Sequence, residues 1–234
     1  MSSSYTAVDH EFRESDAYAQ GKYNVTLRWL RNRSTGPLLY NIGCGGGLFN
    51  RMAVDAGFRV EAFEPDPVAY ELARRDSPNR GCALHPIGID AIEGEGVADV
   101  IVMHDVLEHI DDDCTVVEHL QRLLARDGVL IMSVPALPSL FGFHDEQLGH
   151  YRRYTRRTLQ RALNEHFEIL HLRYYGMTFV PITAYYSRFR RRPYPTRSAE
   201  SGVFSGAFRG LCALEGRIPT PIGTSLICLA RPRL

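Results

Sequence analysis

The sequence predicts an α/β fold built on a doubly wound, mostly parallel sheet, and three observations predict it. Short apolar runs alternate with stretches of helical period, a cluster of glycines directly follows the first run, and an acidic residue directly follows the second.

Leu38–Ile42, Arg59–Phe63, Val100–Met103 and Val129–Val134 have the length and composition of buried strands. Segments 46–57, 67–76 and 112–126 carry helical periodicity between or beside them. Cys82–Ile87 is a weaker strand, and Phe167–Tyr175 and Ser225–Ala230 are later ones. A helix over 155–166 starts where Thr155 can cap an otherwise unpaired amide. No internal repeat is present.

With 234 residues, of which 44% are hydrophobic, the chain can bury one substantial core, and it reads as a single domain, 1–234. A helical cap is expected over 1–35, the core over 36–175, an insertion over 176–222 and a final strand over 223–234. Cys44, Cys82, Cys114, Cys212 and Cys228 form neither CxxC pairs nor a tight framework, and no signal peptide is evident. No stretch approaches the ~20 apolar residues of a membrane span. The expectation is a soluble, cytoplasmic protein.

The formal net charge is zero but unevenly distributed. Residues 1–150 hold 12 basic and 23 acidic side chains, and residues 151–234 hold 15 and 4. Lys22 is the only lysine, so the basic third is guanidinium, suited to carboxylate or phosphate contacts or to a solvated surface. Overall neutrality argues against a nucleic-acid partner.

The glycines of LLYNIGCGGG follow a strand and precede a helix. In a βαβ unit such a turn lets a ligand approach the backbone beyond the carboxyl end of the first strand. Glu64 lies at the end of the second strand, where a carboxylate can accept from both hydroxyls of a ribose. A dinucleotide fingerprint counted from Gly43 would require glycine at 48, where the chain has Leu48. The tyrosine and lysine of a short-chain dehydrogenase have no counterpart after the middle strands. Tyr18 and Lys22 have that spacing but precede the first strand, and the pair is read as accidental.

LLYNIGCGGG, Glu64 within EAFEPDP, the Asp90-Ala91 step, ADVIVMHDVLEHIDDD and DGVLIMSVP together resemble the class I S-adenosylmethionine-dependent methyltransferases. The resemblance covers roughly residues 37–175 and the last strand. It implies a seven-stranded Rossmann-like sheet with an antiparallel last strand, and S-adenosylmethionine as cofactor. It places Gly43, Gly45 and Gly47 beside the methionine part, Glu64 on the ribose, and Asp90 with Ala91 at the adenine. Asn41, where the family usually has an acid, and His104 are included in the cofactor site.

Asp105, Glu108 and His109 stand at i, i+3 and i+4 where the fourth strand gives way to helix, so one turn can present all three. They form either a metal site or a local acid and a histidine base. In the ubiquinone-pathway O-methyltransferases and the plant small-RNA 2′-O-methyltransferases, such residues join a histidine before the next helix. That resemblance implies a metal set of Asp105, Glu108, His109 and His150, for a divalent ion such as Mg, Mn, Fe or Zn. His109 and His150 are the catalytic candidates in either case.

Arg152 and Arg153 are candidate acceptor-binding residues, while Arg156 and Arg157 read as helix surface. HYRRYT also resembles bacterial methyltransferases of surface-glycan and polyprenyl-linked metabolism, which keeps a sugar- or lipid-linked acceptor open. The insertion 176–222 has room for an acceptor lid, with a helix-like run around 203–215. Phe179, Tyr185 and Tyr186 there can line a pocket or cover the sheet, and Tyr185 is placed in the acceptor site. The function expected is methyl transfer to oxygen of a small-molecule acceptor, metal-assisted or not. Carbon or nitrogen methylation through a histidine base, and a cofactor-binding protein without catalysis, are the alternatives.

Overall fold

The computed structural model describes residues 16–31, 36–76, 81–187 and 205–233. Residues 1–15 and 32–35 of the expected cap, and 188–204 of the expected lid, lie outside the described residues.

Seven strands form one sheet in the order β3-β2-β1-β4-β5-β7-β6: β1 Leu38–Ile42, β2 Arg59–Phe63, β3 Cys82–His85, β4 Ala98–His104, β5 Leu124–Pro135, β6 Phe167–Tyr175 and β7 Ser225–Pro232. The first five are parallel, and β7 runs antiparallel to both of its neighbours, β5 and β6. The sheet is the doubly wound, mostly parallel one the sequence predicts. Helices are α1 Ala17–Arg31, α2 Leu48–Asp55, α3 Pro67–Asp76, α4 Asp113–Leu123, α5 Phe143–Leu148, α6 Arg156–Leu163, α7 Val180–Tyr185 and α8 Ser205–Arg217.

β4 shows why the sheet needs helices on both sides. Ile101 and Met103 enter a cluster with Val117 and Leu120 of α4 and Leu159 and Leu163 of α6. Val100 and Val102 enter the opposite cluster with Val25 and Leu30 of α1 and Phe49 and Ala53 of α2. Alternate side chains of a strand face opposite sides, so a strand apolar at every position is buried between two layers.

Several boundaries differ from the expectation, most of all where α4 meets β5. The helix expected over 112–126 ends at Leu123, and β5 begins at Leu124 rather than Val129. β4 pairs Ala98 with Leu124 and then Val100 with Val129, and the polar Arg126, Asp127 and Gly128 occupy the extra chain length on β5. These residues interrupt the apolar run that would otherwise mark the strand. Thr155 caps α6 by accepting from Thr158 N at 3.1 Å.

In register, Ile42 lies opposite both Phe63 of β2 and Met103 of β4. The carboxyl ends of these central strands are therefore nearly flush, and Gly43, Glu64 and Asp105 emerge along one edge. At the far side of the sheet, the buried Glu215 of α8 accepts from Gly176 N at 2.9 Å, Met177 N at 3.0 Å and Thr178 N at 2.8 Å. Glu215→Ala removes the acceptor from three backbone donors at once, so it should destabilise the fold by roughly 2–3 kcal/mol. A lower urea midpoint at unchanged slope would show this; an unmoved midpoint would contradict the anchoring role.

Candidate active site

At the end of β1 the chain turns under constraint. Gly43 N and Cys44 N both donate to Phe63 O, at 2.8 and 3.1 Å, which ties the turn to β2. Gly43, Gly45 and Gly47 all have positive φ, at 69°, 55° and 90°. A Cβ on Gly43 would stand 2.3 Å from Val106 Cγ2, so any side chain there requires Val106 to move. A Cβ on Gly45 would meet nothing within 4 Å. The turn is packed behind Gly43 and open in front of Gly45.

The open side carries the expected carboxylate. Glu64 is 7% exposed, and its Oε2 accepts from Gly45 N at 2.7 Å while Oε1 accepts from Asp66 N at 3.0 Å. A carboxylate has about four acceptor positions, so these two bonds orient Glu64 without exhausting it. Asp90 and Ala91 lie exposed in a short 3-10 turn, Ile89–Ala91, after β3. Asn41 is buried and donates from Nδ2 to Asn50 Oδ1 at 2.6 Å, an amide pair behind the glycine turn.

A polar network lies where β4 ends. His104 is buried, with Nε2 3.1 Å from Thr26 Oγ1 and Nδ1 3.0 Å from Ser133 Oγ. Ser133 Oγ donates to Asp105 Oδ1 at 3.0 Å, and the other carboxylate oxygen of Asp105 pairs with Lys22 Nζ. Lys22 is 2% exposed. Asp105 has φ 55°, the left-handed region that costs an ordinary residue roughly 1–2 kcal/mol. A partner on each carboxylate oxygen, the Ser133 hydroxyl on one and the Lys22 ammonium on the other, helps hold that conformation.

Glu108, His109 and His150 come together: each offers a ligand-type atom, and these atoms lie within 4.8 Å of one another. The His109 and His150 rings meet edge to face at 4.6 Å. Asp105 lies outside this set, so of the four candidate ligands the structure groups three. His150 Nδ1 is 2.9 Å from Oδ1 of Asp145, a fully buried carboxylate that also accepts from Arg153 Nε at 2.8 Å and from Gly142 N at 3.1 Å. Burial pushes the Asp145 carboxyl up, but the His150 hydrogen bond and the Arg153 charge outweigh it and hold the group below the usual carboxylate range. An ionised Asp145 only accepts, so His150 Nδ1 donates, which leaves Nε2 as the acceptor of the neutral ring.

The arginines expected at the acceptor are engaged locally. Arg153 is buried on Asp145 and also donates to Ala136 O at 3.2 Å. Arg152 pairs with Asp111 at 3.2 Å and with Asp113 at 3.1 Å. Arg156 donates to Leu172 O at 3.0 Å and lies over the Tyr174 ring at 5.0 Å. Tyr185 is 45% exposed and packs edge to face on Tyr186, while Phe179 packs on Tyr18 at 4.7 Å.

A family model described as a methyltransferase domain matches residues 25–172, more than half of the chain, including the glycine turn, Glu64, Asp105 and Glu108 to His150. The chain belongs to the methyltransferase-domain family. An uncharacterized methyltransferase of Mycobacterium leprae is 26% identical over 167 residues, covering 67% of this chain and 59% of that protein. A ubiquinone biosynthesis O-methyltransferase of Haemophilus ducreyi is 27% identical over 107 residues, 42% of this chain and 45% of that one. The chain thus spans about half the length of such curated relatives. An S-adenosylmethionine-dependent methyltransferase of Mesorhizobium loti superposes with TM-score 0.60 at 19% identity over 88% of this chain and 95% of that chain. The fold is that of the class I S-adenosylmethionine-dependent methyltransferases.

Two residues that support the site are not legible in the sequence as such. Lys22 was set aside with Tyr18 as an accidental pair, yet it reaches across 83 positions to Asp105, and Tyr18 OH bonds Thr224 at 2.9 Å and Ser225 at 2.8 Å. Its being the chain's only lysine was the available signal. Asp145 had none, because nothing local marks an acid in a loop as the partner of a histidine five residues on.

Burial first, and the Lys22 ammonium second, pull the His104 imidazole down from 6.5 to about 3. The folded value lies below the unfolded one, so this group's contribution to stability is complete above about pH 6.5 and is lost as pH falls toward 3, at up to about 1.4 kcal/mol per pH unit. His104→Gln should therefore flatten the fall of unfolding free energy across that window, measured by urea titration at several pH values. An identical slope in both proteins would contradict a neutral buried imidazole.

Proposed function

We propose that the chain transfers the methyl group of S-adenosylmethionine to a hydroxyl oxygen of a small molecule bound at Glu108, His109 and His150. The observation that carries this reading is the Asp145–His150 pair, which orients an imidazole with its proton-accepting nitrogen free of that bond. The names of relatives such as the Haemophilus ducreyi O-methyltransferase support oxygen as the acceptor atom.

The cofactor fits the residues present. Gly45 opens onto free space, Glu64 is held at the edge of that space, and Asp90 and Ala91 are exposed beyond β3. S-adenosylmethionine supplies a methyl already activated on sulfonium. The chain's own task is alignment, exclusion of water and removal of one proton. With that methyl presented to the acceptor, His150 Nε2 would take the acceptor's hydroxyl proton, and Asp145 would stabilise the imidazolium that forms. The described start of the lid, residues 176–187, borders the acceptor side: Ser187 Oγ donates to Leu140 O at 2.7 Å, which sets the end of α7 beside the loop after β5.

A second reading keeps the same residues and adds a divalent ion. One carboxylate and two imidazoles fit Mg, Mn, Fe or Zn, and a histidine whose other nitrogen is bonded to a carboxylate is the usual support of a ligating imidazole. Bound there, the ion would lower the acceptor hydroxyl's pKa.

Glu64→Ala should weaken S-adenosylhomocysteine binding by about 1–3 kcal/mol in isothermal titration, and unchanged affinity would remove Glu64 from the site. His150→Ala should leave that affinity intact and lower turnover with phenolic acceptors roughly a hundredfold, read as S-adenosylhomocysteine release. Loss of binding and of thermal stability together would make His150 structural instead. Activity surviving exhaustive chelation selects the histidine base over the ion.

A further inference from the structure

Of the eleven large hydrophobic side chains exposed among the described residues, seven fall between residues 177 and 222. Three of them belong to α8 and the residue after it: Leu211, Leu214 and Ile218 are 40%, 51% and 54% exposed. Ile218 N donates to Leu214 O at 3.0 Å, so the helical turn continues to it. With about 3.6 residues per turn, these three fall on one line along the helix. Arg209, Ala213 and Arg217, also exposed, lie on the adjoining flank. Cys212, Glu215 and Gly216 form the buried face.

The exposed arc from Arg209 to Ile218 carries no carboxylate, because Glu215 is turned inward onto the backbone of residues 176–178. Across Gly216 the basic character continues. A cleft of about 300 Å³ between α1 and α8 is lined by Arg28, Arg31 and Arg217 and, among the described residues, by no acidic one. Aliphatic side chains in a line, flanked by guanidinium groups with no carboxylate among the described residues that line the cleft, match the boundary between phospholipid headgroups and acyl chains. Pairing this face with its own copy would oppose arginine to arginine. Among the described residues no helix is long and apolar enough to cross a membrane, so contact through this face would be interfacial.

We propose that the exposed arc of α8, with the arginine cleft it shares with α1, docks on an anionic phospholipid bilayer, the helix lying in the plane of the interface. Leu211, Leu214 and Ile218 enter the acyl boundary, and Arg31 and Arg217 contact headgroup phosphates. The inference goes beyond the methyl-transfer reading and does not depend on it.

Co-sedimentation of the full chain with vesicles of phosphatidylglycerol and phosphatidylcholine, against vesicles of phosphatidylcholine alone, tests the proposal. The expected result is binding to the anionic vesicles, weakened by added salt, and little to the neutral ones. Leu214→Asp, at a position half in solvent, should keep the thermal midpoint and lower partitioning roughly tenfold. Arg31→Glu with Arg217→Glu should abolish the preference for anionic lipid. No binding to anionic vesicles, equal binding to both kinds, or wild-type partitioning by these variants would overturn it. Self-association that Leu214→Asp disrupts, without vesicle binding, would assign the face to a second copy and overturn it as well.

Discussion

Val106 occupies the space that a side chain at residue 43 would need, and much of the site follows from that contact. It packs the chain leaving β4 directly against the chain leaving β1. The two strands are in register to Ile42 and Met103, so neither can pass the other without separating this packing. The turn after β1 is forced into positive φ, and its backbone amides are directed to Phe63 O and Glu64 at the end of β2. Three strand ends thereby become one tied edge, from which Gly45, Glu64 and Asp105 project. Rigidity there matters because methyl transfer depends on alignment more than on strong acids or bases.

Polar groups behind this edge are arranged so that few charges stand alone. Lys22 and Asp105 form a pair beside His104, and Asp145 is shared by Arg153, His150 and a backbone amide. Buried ion pairs contribute little net stability when compared with apolar replacements, but they hold side chains in one geometry and are costly to break singly. In both places the pairing fixes one geometry. Asp105 is held in an uncommon backbone conformation next to the glycine turn, and His150 is held in one tautomer next to His109 and Glu108.

Much of this was legible because it is local in sequence. The strands β1, β2 and β4 are uninterrupted apolar runs, and the glycines and Glu64 follow them immediately, so pattern and position agree. Glu108 and His109 are legible through helical spacing together with a resemblance, and His150 through the resemblance alone. Asp105 was assigned to the wrong neighbours: its spacing suited a shared turn, but positive φ and the pull of Lys22 and Ser133 direct it elsewhere. Arg153 read as an acceptor ligand because guanidinium chemistry is visible in sequence while its buried partner, Asp145, is not. The start of β5 was hidden by polar residues at a bulge, where pairing rather than hydropathy defines the strand.

The central claim is that the open side of Gly45 receives the cofactor with its ribose on Glu64 and its sulfur toward the end of β4. A crystal structure of the protein with S-adenosylhomocysteine tests it most directly. The account predicts both ribose hydroxyls within hydrogen-bond distance of the Glu64 carboxylate, the adenine beside Asp90 and Ala91, and the sulfur facing the side where Glu108, His109 and His150 meet. A ligand bound elsewhere, or bound here with its ribose away from Glu64, would contradict it.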